Sequence, residues 1–232
     1  MNKFTVSLFA AALLLGAAPA LAADLPTGVV AAPAPAASTS NTLSLEFSPE
    51  FAAIASGSTA QGTLADWYAK GTFSHSFGQG ISAAAAFQDT LKTNGFSQYY
   101  FEGQAAYKAS LTKEFSVTVT GYLGYTTGNT GYVGGLASSS TDNNDSFFYY
   151  AIAGAADWKL DSHWTWNIIN ARYRNAFDRT WLTPKVTTGV TYNIDATDAV
   201  YANVGYSWKD NGNGKGLLGD KLNVAVGYKY SF

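Results

Sequence analysis

The chain closes on Leu222-Asn223-Val224-Ala225-Val226-Gly227-Tyr228-Lys229-Tyr230-Ser231-Phe232. From Leu222 onward every second residue is apolar or aromatic, and the residues between are Asn, Ala, Gly, Lys and Ser. Strict alternation is the pattern of a β-strand with one apolar and one polar face. Chain ends are normally frayed and polar unless something ties them down, so a large aromatic in the last position implies a partner for that strand.

The same period of two runs back to Leu43. It predicts ten strands, at roughly 43–54, 64–77, 81–90, 98–111, 115–127, 146–160, 164–175, 185–194, 199–209 and 221–232, with Gly, Asn, Asp and Ser between them. Four connections are very short: Gly78-Gln79-Gly80, Thr112-Lys113-Glu114, Asp161-Ser162-His163 and Asp195-Ala196-Thr197-Asp198. The other five, near 55–63, 91–97, 128–145, 176–184 and 210–220, are longer, and short and long alternate. That asymmetry is expected of short periplasmic turns and longer extracellular loops on a transmembrane barrel. An even strand number leaves both ends on the short-turn side.

One face carries Val117, Val119, Leu123, Tyr125, Phe148, Tyr150, Ile152, Trp158, Val190, Tyr192, Val204, Tyr206 and Trp208; the other carries Ser, Thr, Asn, Asp and Lys. A soluble barrel or sandwich gives the same alternation with its apolar face inside. Three features turn the apolar face outward. It holds too many large rings for the interior of a barrel with few strands. The rings gather near strand ends (Tyr99, Phe101, Phe148, Tyr150, Trp158, Trp208, Tyr230) while Ala83, Ala85, Gly103, Ala105 and Gly154 occupy the middles, the layout of two aromatic girdles around an apolar band. The strand lengths also suit a tilted crossing of about 9–11 residues. Charged residues are 13% of the chain, against about 25% in ordinary soluble domains. The expectation is an all-β protein, an antiparallel transmembrane barrel of about ten strands, between eight and twelve.

Residues 1–22, MNKFTVSLFAAALLLGAAPALA, have one cation at Lys3, an apolar run through Leu15 and a small-x-small end at Ala20-Leu21-Ala22. They read as a cleaved secretory signal peptide. Residues 23–41 are rich in Ala, Pro, Ser and Thr and read as a periplasmic linker, with the barrel over 42–232. Without the signal, 13 basic and 16 acidic residues remain, a mildly acidic balance that argues against nucleic-acid binding. Cysteine is absent, which excludes a disulfide framework, a thiolate metal site and a cysteine nucleophile.

The signal, the Ala-Asp-Leu-Pro start at Ala23 and the Val226-Gly227-Tyr228-Lys229-Tyr230-Ser231-Phe232 terminus resemble those of small Gram-negative outer-membrane β-barrels and porin-like proteins. The resemblance spans 43–232 as an architecture. It implies the cell outer membrane, contact with its lipid, and a terminal strand whose Val226, Tyr228, Tyr230 and Phe232 are read by the barrel assembly machinery. It says little about solute.

By parity, Glu46, Asp66, Lys70, Glu102, Lys108, Asp157, Lys159, Arg172, Arg174, Lys185, Lys209 and Lys229 face inward. Facing lipid at mid-depth, a Lys or Arg would cost about 2–4 kcal/mol. Eight cations against four anions suggest a pore lining that favours small anionic solutes. The alternative is a salt-bridged plug in a closed structural or surface-recognition barrel, since about eight strands enclose an interior just filled by side chains. Trp164, Trp166 and Ile168 share parity with Arg172 and Arg174; a bulge near Ile168-Ile169 would move the tryptophans outward.

A third reading, an outer-membrane hydrolase, lacks motif support: His75 and His163 have no Ser/Asp partner at motif spacing and no nucleophile elbow is present. No catalytic residue, metal site or cofactor is expected. Gly214-Lys215-Gly216-Leu217-Leu218-Gly219 matches GxGxxG but opens no helix, and Asp210-Asn211-Gly212-Asn213-Gly214 lacks the terminal Glu of a calcium loop. Both read as loop. The long loop 128–145 is expected either to bind something outside or to fold inward as a constriction.

Overall fold

The structure, a computed structural model, describes residues 39–53, 62–93, 95–130, 132–133, 136–137, 144–210 and 216–232. The signal, most of the 23–41 linker, much of the 128–145 loop, and Gly214 and Lys215 of the GxGxxG match lie outside the described residues.

Ten strands form the wall: β1 (Ser40–Ala52), β2 (Leu64–Gly78), β3 (Ile81–Lys92), β4 (Ser97–Ser110), β5 (Phe115–Asn129), β6 (Asn144–Lys159), β7 (Trp164–Ala176), β8 (Lys185–Asn193), β9 (Asp198–Asp210) and β10 (Leu217–Ser231). Each pairs antiparallel with its chain neighbours, and β1 pairs with β10, so the sheet is a closed barrel. A two-residue ribbon, 132–133 with 136–137, forms a separate small sheet.

Closure fixes the tilt. Hydrogen-bonded partners traced from Glu46 one way round reach Phe147, and the other way reach Lys159, twelve residues along the same strand. With ten strands, that stagger corresponds to a tilt of about 40° and a backbone radius of about 10 Å. The bore is therefore narrow enough for long side chains to meet across it.

The polarity is inverted relative to a soluble protein. Leu45, Phe101, Leu123, Phe148, Trp158, Val204 and Val226 are exposed on the outside, while Ser48, Asp66, Glu102, Thr126 and Asn223 are buried inside. An apolar wall with every strand paired is stable in lipid, where an open sheet edge is not. The fold is an all-β, antiparallel transmembrane barrel with outer-membrane architecture. Asp89 is an outward acid, close to the loop end of β3, where a carboxylate costs less than at mid-depth.

Three local departures matter. Ile168 is an extra residue in β7: Ala156 pairs with Ile169 and Asp157 with Asn167. The bulge puts exposed Trp164 and Trp166 on the lipid face while Arg172 and Arg174 face inward. Strand β1 begins at Ser40, inside the segment read as linker, because the Asn41 N–H donates to the Phe232 carbonyl (2.8 Å) and the Phe232 N–H to that of Asn41 (2.9 Å). Strand β10 starts at Leu217, earlier than its period suggests, because a second bulge at Asp220 interrupts the alternation.

The short turns are closed by side chains. Asp161 Oδ1 accepts the N–H groups of Trp164 and His163, each at 2.7 Å, and Asp195 Oδ1 accepts those of Thr197 (2.7 Å) and Asp198 (2.8 Å). These bonds hold both carboxyls below the ordinary aspartate value. Their contribution to stability is present above the unfolded value and is lost as pH falls through the lowered one.

Short turns and long connections occupy opposite ends, so a topology follows. Lys113→Cys, in a short turn, is expected to resist an impermeant thiol reagent on intact cells and to react once the outer membrane is breached. Thr93→Cys, at the loop end, is expected to react on intact cells. Reaction of Lys113→Cys before breaching would invert the orientation.

Candidate functional site: the charged lumen

Alternation places Glu46, Asp66, Lys70, Glu102, Lys108, Asp157, Lys159, Arg172, Arg174, Lys185, Lys209 and Lys229 on the inner face, with Lys159 and Lys209 near the two rims. Six charged residues escaped the sequence reading, among them Asp145, which shares parity with Phe147, and Arg179 of the 177–184 connection, which pairs with it at 2.6 Å. Glu50 and Lys221 share parity with Glu46 and Lys229, Lys92 pairs with Asp66, and Asp220 sits at the β10 bulge. Parity would have found Glu50, Lys221, Lys92 and Asp145; these lie near strand ends, where a sequence boundary is least certain. The lumen thus carries eleven cations and seven carboxylates.

These charges are not evenly paired. Near the loop end Lys221 binds Glu50 at 2.9 Å and also Asp66. At mid-barrel Glu102 is shared by Lys70 (3.4 Å) and Arg172 (3.7 Å), and accepts the Tyr149 hydroxyl at 2.9 Å. Tyr68 donates to Glu46 at 2.7 Å. Lys108–Asp157 is longer, at 3.9 Å. Arg174, Lys185 and Lys229 make no ion pair among the described residues. Arg174 instead stacks on Trp181, and the Lys229 ammonium lies 4.8 Å from the centre of the Tyr201 ring.

The loop mouth is narrowed by aromatics that the sequence reading did not assign to the lumen. Trp181, in the connection between β7 and β8, turns into the mouth and is buried against Tyr100, Phe147 and Tyr149. The Trp181 backbone N–H donates to Asn175 Oδ1 (2.9 Å), Arg174 Nε donates to Thr183 Oγ1 (2.8 Å), and the Arg174 guanidinium lies 4.1 Å from the Trp181 ring centre. The narrowing therefore includes the 177–184 connection; most of the 128–145 loop, for which an outside binding role or an inward fold was expected, lies outside the described residues.

Glycines let the rings lie flat against the wall. A Cβ on Gly124 would stand 2.2 Å from the Tyr149 ring, and one on Gly227 would stand 2.2 Å from that of Tyr201. The turn half is lined mainly by short side chains, among them Ser44, Ser74, Ala84, Ala106, Thr118, Thr120 and Ala155. From mid-barrel into the loop half runs a chamber of about 300 Å³, bordered by Lys70, Arg172, Arg174, Lys185 and Lys221 and by the carboxylates of Glu46 and Glu50, among others.

The histidines belong to the wall and its turns. His75 Nδ1 lies 2.8 Å from Asn41 Oδ1, and His163 Nδ1 lies 2.9 Å from the Asn193 carbonyl.

No protein-family model and no curated protein matches the chain. Among solved structures, a KdgM porin is 16% identical, with 82% of this chain and 99% of that one covered, at a TM-score of 0.41. An outer membrane channel from Pseudomonas putida F1 is 12% identical, with 90% and 99% covered, at 0.48. The outer membrane protease OmpT from Escherichia coli is 10% identical, with 85% and 98% covered, at 0.43. Channels and a protease stand at the same low likeness, so function must be read from the lumen.

The Lys221 cluster gives a stability test. Lys221→Met leaves Glu50 and Asp66 without their cation, and an uncompensated buried charge costs about 3–5 kcal/mol. The folded barrel should unfold at a clearly lower temperature, followed by loss of its compact gel mobility. Lys229→Met, which breaks no ion pair, should stay close to wild type. Equal behaviour of the two variants would contradict the cluster's role.

Proposed function

We propose that the protein is a narrow passive channel of the Gram-negative outer membrane for small, anionic solutes. It is exported by a signal cleaved after Ala22 and inserted by the barrel assembly machinery, which reads the terminal strand. The observation that carries the reading is the inner-face excess of four positive charges, three of them on Arg174, Lys185 and Lys229, which no carboxylate neutralises. Rings of Lys and Arg favour anions in pores, and a low-dielectric wall strengthens their field.

In the conformation described, the Trp181 segment narrows the loop mouth, so passage needs that segment to yield. The packing at the loop end supports a second reading, a closed structural barrel. Ten strands lie near the filled end of the range, and the two readings differ in whether single-channel steps exist.

In planar bilayers the wild-type barrel is expected to conduct with a preference for chloride over potassium. The bias should weaken near 1 M salt, where the Debye length is about 3 Å. Lys185→Glu with Lys229→Glu takes the inner-face excess to zero without breaking an ion pair, so selectivity should fall toward neutral while folding survives. Trp181→Ala should raise the unitary conductance. Absence of steps from well-folded wild-type protein sinks the channel and leaves the closed barrel.

The terminal strand gives a separate expectation. Phe232 is 59% exposed and stacks on Tyr230, so Phe232→Ala should cost the finished barrel only about 1–2 kcal/mol of interfacial burial. Its membrane level in cells should fall far more than that of Ser231→Ala, whose side chain faces inward. Equal levels would contradict an assembly role.

A further inference from the structure

Three cations converge on one side of the chamber. Arg172 and Lys185 are direct partners across β7 and β8, and Arg174 follows on the same face of β7. Like charges directly opposite in a sheet are destabilising, and low dielectric makes the repulsion larger.

The protein's own carboxylates offset only part of this. Glu102 reaches one terminal nitrogen of Arg172 at 3.7 Å while also serving Lys70. Arg172 Nε is buried with no hydrogen-bond partner. Lys185 makes no ion pair among the described residues, and its ammonium sits 5.7 Å from the centre of the Tyr68 ring. An orphaned buried donor carries its full desolvation cost, and a site that keeps one beside two unneutralised charges is shaped for an acceptor from outside.

We infer that the chamber is a discrete binding site for a small multivalent oxyanion, of the phosphate or sulfate type, held between Arg172 and Lys185. Arg172 borders the chamber, and a turn of its side chain toward an anion there would bring the edge carrying Nε, closed to solvent in this conformation, onto two oxygens of one anion as two parallel donors. The Lys185 ammonium supplies a point charge from the facing strand. Tyr122 and Thr187 border the same space with hydroxyl groups. The volume equals that of about ten waters, enough for a five-atom oxyanion with part of its hydration. The site rests on the channel reading only for the route by which the anion arrives.

The test is a titration of the full-chain barrel in detergent with sodium phosphate, with sodium chloride at matched ionic strength as reference. Phosphate should raise the unfolding midpoint by about 3–6 °C at ten times its dissociation constant and go on rising with the logarithm of its concentration, and sulfate should do the same. Lys185→Met should keep its stability in chloride and lose the phosphate shift, while Lys229→Met keeps the shift. Arg172→Lys, which retains charge but not the fork, should weaken phosphate about tenfold, and serves if Lys185→Met does not fold. Equal effects of phosphate and chloride on the wild type overturn the site, as does an undiminished shift in Lys185→Met or Arg172→Lys. Phosphate binding without single-channel steps removes the channel and keeps the site; chloride-selective conductance without a phosphate-specific shift does the reverse.

Discussion

The ladder between β1 and β10 is the constraint on which the rest depends. In hydrocarbon an unpaired backbone N–H or C=O has no water to turn to and costs several kcal/mol. A sheet in lipid must therefore close on itself, and here closure joins Asn41 to Phe232 at one end and Ala52 to Lys221 at the other. Once the ring is closed with ten strands and a twelve-residue stagger, the bore, the tilt and the partners across the lumen are set. Lys221 meets Glu50 and Asp66 only because the last strand lies beside the first, and those residues are 171 and 155 positions from it in the chain.

The same narrow bore explains the contrast between the two halves of the lumen. Rings and ion pairs narrow the loop half, where Tyr149 and Thr126 are fully buried. Short side chains line the turn half, where Lys108 remains half exposed. Charges left unpaired sit at or below the narrowed region. Buried cations without partners add little to the stability of a closed barrel, so their retention is better explained by something that moves through or binds there.

Most of the fold was legible because lipid and lumen impose the simplest alternation a chain can carry. All ten strands were found, and the conflict between Trp164, Trp166 and the arginines pointed to the bulge that Ile168 supplies. What stayed hidden depends on contacts across the bore. Trp181 lies in a connection without period, so nothing local shows that it turns inward. Tyr149 and Tyr201 are aromatics in strands dominated by girdle rings, and only parity together with glycines at facing positions identifies them as lumen residues. The Glu50–Asp66–Lys221 cluster needs the closure register, which no single strand contains.

The central claim is that the loop mouth of the lumen is packed around Tyr149 and Thr126 while the turn half is open to water. The chain lacks cysteine, so single cysteines report on it cleanly. Ala155→Cys faces the turn half and Thr126→Cys the packed mouth. Mass spectrometry of the folded barrel after exposure to a small charged methanethiosulfonate reagent should find Ala155→Cys modified and Thr126→Cys spared until the barrel is unfolded. Rapid modification of both would mean an open bore throughout, and protection of both would mean a plugged one; either result would contradict the account.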